Sequence, residues 1–197
     1  MKKIKVTVTT TESMLGSAPN DKELMESYIA SKAPDALTMA EEIEAVGTEE
    51  VIEKAMTVFP RHDGKPILYD YQIKGFFKDS CGSLRKVKGT HSSKIKAYKK
   101  EIDGLIFVSP RHIDIQYTGE MTTCQRPLRA ATPMGERIAL ANSEEIPAGA
   151  VLEFEVTCLV DEHVELVKEW LEYGQLRGLG QWRNSGKGRF TCKVTEA

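Results

Sequence analysis

Between Arg177 and Phe190 the chain reads RGLGQWRNSGKGRF, with Gly178, Gly180, Gly186 and Gly188 in two GxG pairs, Trp182 near the centre, and Arg177, Arg183, Lys187 and Arg189 around them. Glycine adopts positive φ freely and lets another backbone come close. Exposed amides of such a turn can bind phosphate oxygens, the cations neutralise charge, and an indole can stack on a base or pin the loop down. The three capabilities suit single-stranded nucleic acid. The segment lacks the GxxxxGK[ST] spacing of a P-loop, and it follows a helix-like stretch and precedes a strand-like one, the reverse of a dinucleotide fingerprint. The same composition also describes a long hairpin whose glycines only allow tight turns and whose Trp182 fills the core. Residue types alone leave both open.

The charge distribution supports the first alternative without deciding it. The formal net charge is −2, yet residues 20–58 hold ten acids and three lysines, and residues 72–100 hold nine bases against Asp79 alone. Phosphate contacts respond to local rather than total charge, so the basic stretch with Lys74, Lys78, Arg85, Lys86, Lys88 and Lys94 is a candidate footprint for a polyanion. A solvated charged surface would read the same way.

Other chemistries find less in the sequence. Cys81, Cys124, Cys158 and Cys192 are far apart, without a CxxC pair, and read as reduced, mostly buried thiols. His62, His91, His112 and His163 form neither HxxxH nor HExxH. No metal, cofactor or catalytic residue is expected from these spacings. With 41% hydrophobic and 28% charged residues the chain has the composition of a folded globular protein. It has no apolar run of about 18 residues and no apolar leader after MKKIKVTVTTTES, so a cytoplasmic protein without membrane contact is expected.

The elements that must position these residues follow from periodicity. Residues 3–9 alternate, with Ile4, Val6 and Val8 on one face, and residues 151–160 alternate through Leu152, Phe154, Val156 and Cys158; both predict half-buried strands. Leu105 to Val108 and Ile113 to Tyr117 are strand-like, Gly135 to Ala141 more weakly so, and a last strand is expected to end at Val194. Asp70 is a candidate N-cap for a helix through Leu84 with Ile73, Phe76 and Phe77 as its apolar stripe. Residues 161–173 carry Val164, Val167, Trp170 and Leu171 at helical spacing. The acidic stretch 20–58 reads as a helical insertion, with a capping box from Thr38 to Glu41. Residues 85–100 read as a basic, arm-like segment. Strands at both ends with helices following strands predict an α+β chain, an antiparallel sheet packed by helices on one side.

The glycine-rich segment resembles the C-terminal glycine-rich loop of the repeat-associated mysterious protein (RAMP) superfamily, the ferredoxin-like (RRM-like) RNA-binding subunits of CRISPR effector complexes. Three further stretches agree in order: residues 6–16 resemble the first strand and its hydrophobic-Gly ending, GKPI at 64–67 with QIKG at 72–75 resembles the segment in which a lysine and a glycine open the first core helix, and EIPAG at 145–149 resembles the acidic-Pro-x-Gly turn. The resemblance implies one RAMP-like domain over 1–197, with the acidic insertion 20–58 and the basic segment 85–100 as additions. It also implies that Lys74, Arg183, Lys187 and Arg189 help hold RNA. Members that cleave target RNA place an aspartate before the lysine segment, where AMTVFPRHDGKP offers only Asp63 in what reads as an ordinary turn. Relatives that process guide precursors use a histidine, a role that His62, His91 or His112 could fill.

The expectation is therefore a non-catalytic protein that binds single-stranded nucleic acid, RNA as the leading reading over DNA, through the glycine loop and a basic groove. Its partners would be the nucleic acid and a CRISPR effector protein, and self-association into a homo-oligomer is compatible with the same reading. One alternative is a phage-encoded mimic of a CRISPR subunit, an anti-CRISPR protein, whose acidic surface would occupy a nucleic-acid site. A second is a metal-dependent ribonuclease built on Asp63.

Overall fold

A computed structural model describes residues 1–20, 56–132 and 135–196. Most of the expected helical insertion, with its Thr38–Glu41 box, lies outside the described residues. The chain divides into two compact units.

The first unit comprises residues 1–14, 60–120 and 146–197. Its strands are β1 (Lys2–Thr10), the short pair β5 (Arg61–His62) and β6 (Lys65–Tyr69), β7 (Ile106–Ser109), β8 (His112–Gln116), β11 (Val151–Cys158) and β12 (Phe190–Glu196). Its helices are α1 (Asp70–Leu84), α2 (Tyr98–Leu105) and α3 (His163–Arg177). The sheet runs β12-β1-β11-β8-β6-β5, with β7 also pairing β11. Taken as β1-α1-β7-β11-α3-β12, with β1 paired to both β11 and β12 and β7 to β11, this is the split β-α-β arrangement of a ferredoxin-like α+β fold.

Register follows from the alternation. Ile4 faces Val156, Val6 faces Phe154 and Val8 faces Leu152, and all six are buried. A slip of one residue in β1 would turn Ile4, Val6 and Val8 to the opposite, charged face. Against this face α1 buries Ile73, Phe76, Phe77, Ser80 and Cys81, and α3 buries Val164, Val167, Trp170, Leu171 and Gly174, stripes with the spacing of one helix face. Phe77 meets Trp170 at 5.5 Å between ring centroids and Phe76 meets Phe190 at 5.6 Å. On the opposite face Lys5 pairs across from Glu155, and Thr7 stands between Glu153 and Lys193, so that face mixes both signs of charge.

Two local expectations change. The helix at 70 is capped from Tyr69, whose N–H donates to Gln72 Oε1 at 2.8 Å, while Asp70 is the first helical residue and accepts from the Tyr71 N–H. The basic segment is no arm. Glu169 on α3 accepts from the backbone N–H groups of His91 and Ser92 at 2.7 and 3.0 Å and from Ser92 Oγ, and the buried Trp170 Nε1–H donates to the same Ser92 Oγ at 2.9 Å. One carboxylate with three donors anchors the middle of the stretch, and α2 begins within it.

The second unit comprises residues 15–59 and 121–145. Its strands include β3 (Ala18–Pro19), β4 (Thr57–Val58), β9 (Thr122–Thr132) and β10 (Gly135–Ile146), with β2 (Met14–Leu15) where the chain enters. The sheet order is β2-β10-β4-β3, and β9 and β10 form a long antiparallel hairpin. The weak strand expected at 135–141 is thus five residues longer, and its partner β9 carries no strand signal in the sequence because Pro127 interrupts it. An edge strand tolerates that proline, which lacks a ladder N–H. Arg126 is buried and donates from Nη1 to Ser143 Oγ at 2.8 Å, and Thr57 Oγ1 meets the same hydroxyl at 2.6 Å.

Candidate nucleic-acid interface

The glycine-rich segment is held between the end of α3 and the start of β12. Gly178, Gly180, Gly186 and Gly188 all have positive φ, which the sequence anticipates. Their use is largely internal. The Leu179 N–H donates to Gly188 O and the Gly188 N–H to Ser13 O, both at 2.8 Å, while the Gly186 N–H donates to Arg183 O at 3.0 Å. A Cβ on Gly188 would lie 1.9 Å from Leu179 O and one on Gly178 2.5 Å from Lys187 O, so these glycines permit the two arms of the loop to touch. The expectation that the glycine amides cradle phosphate is revised for Gly178, Gly186 and Gly188, whose N–H groups donate within the chain.

The side chains are arranged differently from the amides. Trp182 has φ 53° and ψ 36°, a left-handed conformation that is uncommon outside glycine and costs on the order of 1 kcal/mol or more. The residue is 41% exposed instead of buried in the core. The tight turn that follows is closed by Ser185, whose N–H and hydroxyl both donate to Trp182 O, at 3.0 and 2.8 Å.

Arg177 Nε and Arg183 Nη1 each donate to Asp79 Oδ2 on α1 at 2.9 Å, and Arg177 Nη1 also donates to Asn184 Oδ1. Burial acts to raise the Asp79 pKa, but the hydrogen bonds and charges of Arg177 and Arg183 outweigh it and hold the carboxyl below the usual value. The Asp79 hydrogen bond in turn raises Arg177. Two guanidiniums sharing one carboxylate leave a net positive cluster. Lys187 Nζ donates to Ser13 Oγ at 2.7 Å, and Arg189, exposed, donates from Nε to Leu176 O.

The remaining candidates sit on α1 and beyond it. Lys78 pairs with Asp103 of α2 at 2.6 Å, and Lys74 donates to the Asp103 carbonyl at 3.1 Å and lies 4.9 Å from the centroid of the Phe107 ring. Burial lowers the Lys74 pKa despite the Asp103 charge. Asp79 is about 140° round the helix from Lys74 by the helical repeat, so the lysines and the glycine loop flank α1 on different sides. Arg85, Lys86, Lys88 and Lys94 are exposed, with the Arg85 guanidinium 5.0 Å from the Tyr98 ring centroid.

Asp63 occupies the two-residue turn joining β5 and β6 with Gly64, φ 50° and 77°, the Asp-Gly pattern of a type I′ hairpin. Its carboxylate is 88% exposed and stands 3.6 Å from His62 Nδ1. The ordinary turn read from the sequence is what the chain forms there.

No family model matches the chain, and no curated protein matches it. Among solved structures it is similar to a chain of the Type III-B Cmr-beta bound to cognate target RNA, determined by cryo-EM, with TM-score 0.55 and 12% identity over 99% of this chain and 60% of that one. It is also similar to a chain of a Type IV-B CRISPR complex, with TM-score 0.48 and 14% identity over 98% of this chain and 90% of that one. The chain thus spans about 60% of the length of the Cmr-beta chain. At such identity the likeness to the Cmr-beta chain is one of fold, and the fold agrees with the ferredoxin-like architecture expected from the sequence.

Proposed function

We propose that this chain is a CRISPR-related, non-catalytic protein that binds single-stranded nucleic acid, RNA in preference to DNA. The observation that carries the reading is Trp182, kept exposed on a left-handed backbone and followed directly in the chain by Arg183, whose guanidinium shares Asp79 with that of Arg177. A core-filling role would bury the indole. An exposed flat ring next to fixed cations is the combination on which an unpaired base stacks while its phosphate is neutralised. The shared fold with a chain from an RNA-bound CRISPR complex supports the same reading. Contact is made by side chains, with Lys187, Arg189 and the exposed lysines between 85 and 100 adding charge along the path of the strand.

Fluorescence anisotropy with a labelled single-stranded RNA across a salt series tests this. Log affinity should fall linearly with log salt, by about 0.7 for each phosphate neutralised. Replacing Arg183, Lys187 and Arg189 together by glutamine should reduce that slope by roughly 2 while the thermal transition persists. An unchanged slope in the folded variant rejects the loop as the contact surface. Incubating the same RNA with and without magnesium reads out the ribonuclease alternative directly.

A further inference from the structure

A second group of flat side chains lies at the start of α1, apart from the glycine loop in sequence. The rings of Tyr69 and Tyr71 stack at 5.1 Å between centroids with 14° between planes. Tyr69 meets the edge of His112 at 5.5 Å, and His112 lies 4.1 Å from His62. The Arg111 guanidinium is 5.6 Å from the Tyr69 centroid and 5.3 Å from that of Tyr71, and Asp70 Oδ1 holds it at 2.8 Å. Four rings and one guanidinium therefore form a continuous array, oriented by the β6–β8 ladder that pairs Tyr69 with His112.

The core does not require it. The buried aromatics of this unit include Phe76, Phe77, Phe154, Trp170 and Phe190, whereas Tyr71 is 48% exposed and the Arg111 and His62 side chains are 62% and 46% exposed. One helical turn beyond Tyr71 stands Gly75, where an added Cβ would meet nothing within 4 Å. Mid-helix glycine costs about 1 kcal/mol relative to alanine. Among the described residues nothing packs against it, and the bare helix surface leaves room for another backbone to pass.

We propose that Tyr71, Tyr69 and Arg111 form a stacking platform for unpaired bases, a second nucleic-acid contact that rests on the binding function proposed above. The chemistry favours bases over a protein side chain. The array offers the exposed Tyr71 with the Arg111 cation fixed beside it, the pairing that a base recognises by stacking and cation–π contact. A strand stacked here would be led across Gly75 along α1.

The test compares an oligoadenylate with an abasic ribose-phosphate oligomer of equal length, binding to wild type, Tyr71→Leu and Tyr71→Phe. Loss of one stacked base is expected to weaken oligoadenylate binding by Tyr71→Leu roughly 5- to 140-fold, with abasic binding unchanged and Tyr71→Phe close to wild type. Equal binding of both oligomers by wild type overturns the platform, and base stacking on Trp182 with it, and leaves only the phosphate contacts of the proposed function standing. The platform alone is overturned by an oligoadenylate affinity that Tyr71→Leu does not alter, or by equal losses on both oligomers; the first of these is also the result expected if the rings dock a protein. Failure of wild type to bind either oligomer at low salt overturns both readings together.

Discussion

At Asp79, one carboxylate oxygen accepts from two arginines that the sequence separates from it by 98 and 104 positions, so a single side chain sets how much positive charge the loop presents. Asp79→Asn removes that anion without changing shape. RNA affinity at low salt should rise, with a salt slope steeper by about 0.7, while the midpoint of denaturant unfolding falls by the equivalent of about 1 kcal/mol for a partly exposed charged pair. The pH dependence has a definite sign. Asp79 is depressed below 3.8 in the folded chain, so its contribution is fully present above that value and is lost as pH falls through the folded pKa. Acid unfolding followed by circular dichroism should therefore show a shallower loss of stability below about pH 4 in Asp79→Asn than in wild type. An identical acid limb would mean that the guanidiniums are not paired in solution.

At the scale of elements, the two kinds of glycine should respond oppositely to the same substitution. Gly188→Ala forces a Cβ to within 1.9 Å of Leu179 O at φ 70°, and should cost on the order of 3 kcal/mol or prevent folding. Gly75→Ala, in open space within a helix, should stabilise the protein by roughly 0.5 to 1 kcal/mol. Denaturant melts of the two variants read both effects. If Gly188→Ala proves neutral, the loop is not closed by the Leu179–Gly188 contact. The sequence made the positive φ of these glycines legible, because repeated GxG pairs have few other uses. It did not tell loop closure from ligand approach, since both need the same missing Cβ. The fixing of the basic segment is hidden for a related reason: seven cations in sixteen residues look solvated, whereas Glu169, some 77 positions away, anchors the backbone at Ser92.

For the whole molecule, the ferredoxin-like sheet encloses two of the four thiols completely. Cys81 and Cys158 are fully buried, and burial pushes the Cys158 thiol up to about 11 and Cys81 upward as well. In native protein both should resist a thiol-specific disulfide reagent and react together at the rate of global unfolding, behind Cys124. Fast modification of Cys158 in native conditions would contradict the β1–β11 core. Among the described residues no helix is long and apolar enough to cross a membrane. The local pattern was sufficient for the strands at 2–10 and 151–158, for α1 and α3 and for the α+β class, because alternation and helical periodicity are properties of neighbouring residues and survive without the rest of the chain. It could not supply the β9–β10 hairpin, the docking of residues 91–92, the pairing of Arg177 and Arg183 with Asp79, or the array from His62 to Tyr71. Those depend on which distant segments the sheet order brings side by side, and contacts of that kind are decided only when the chain closes on itself.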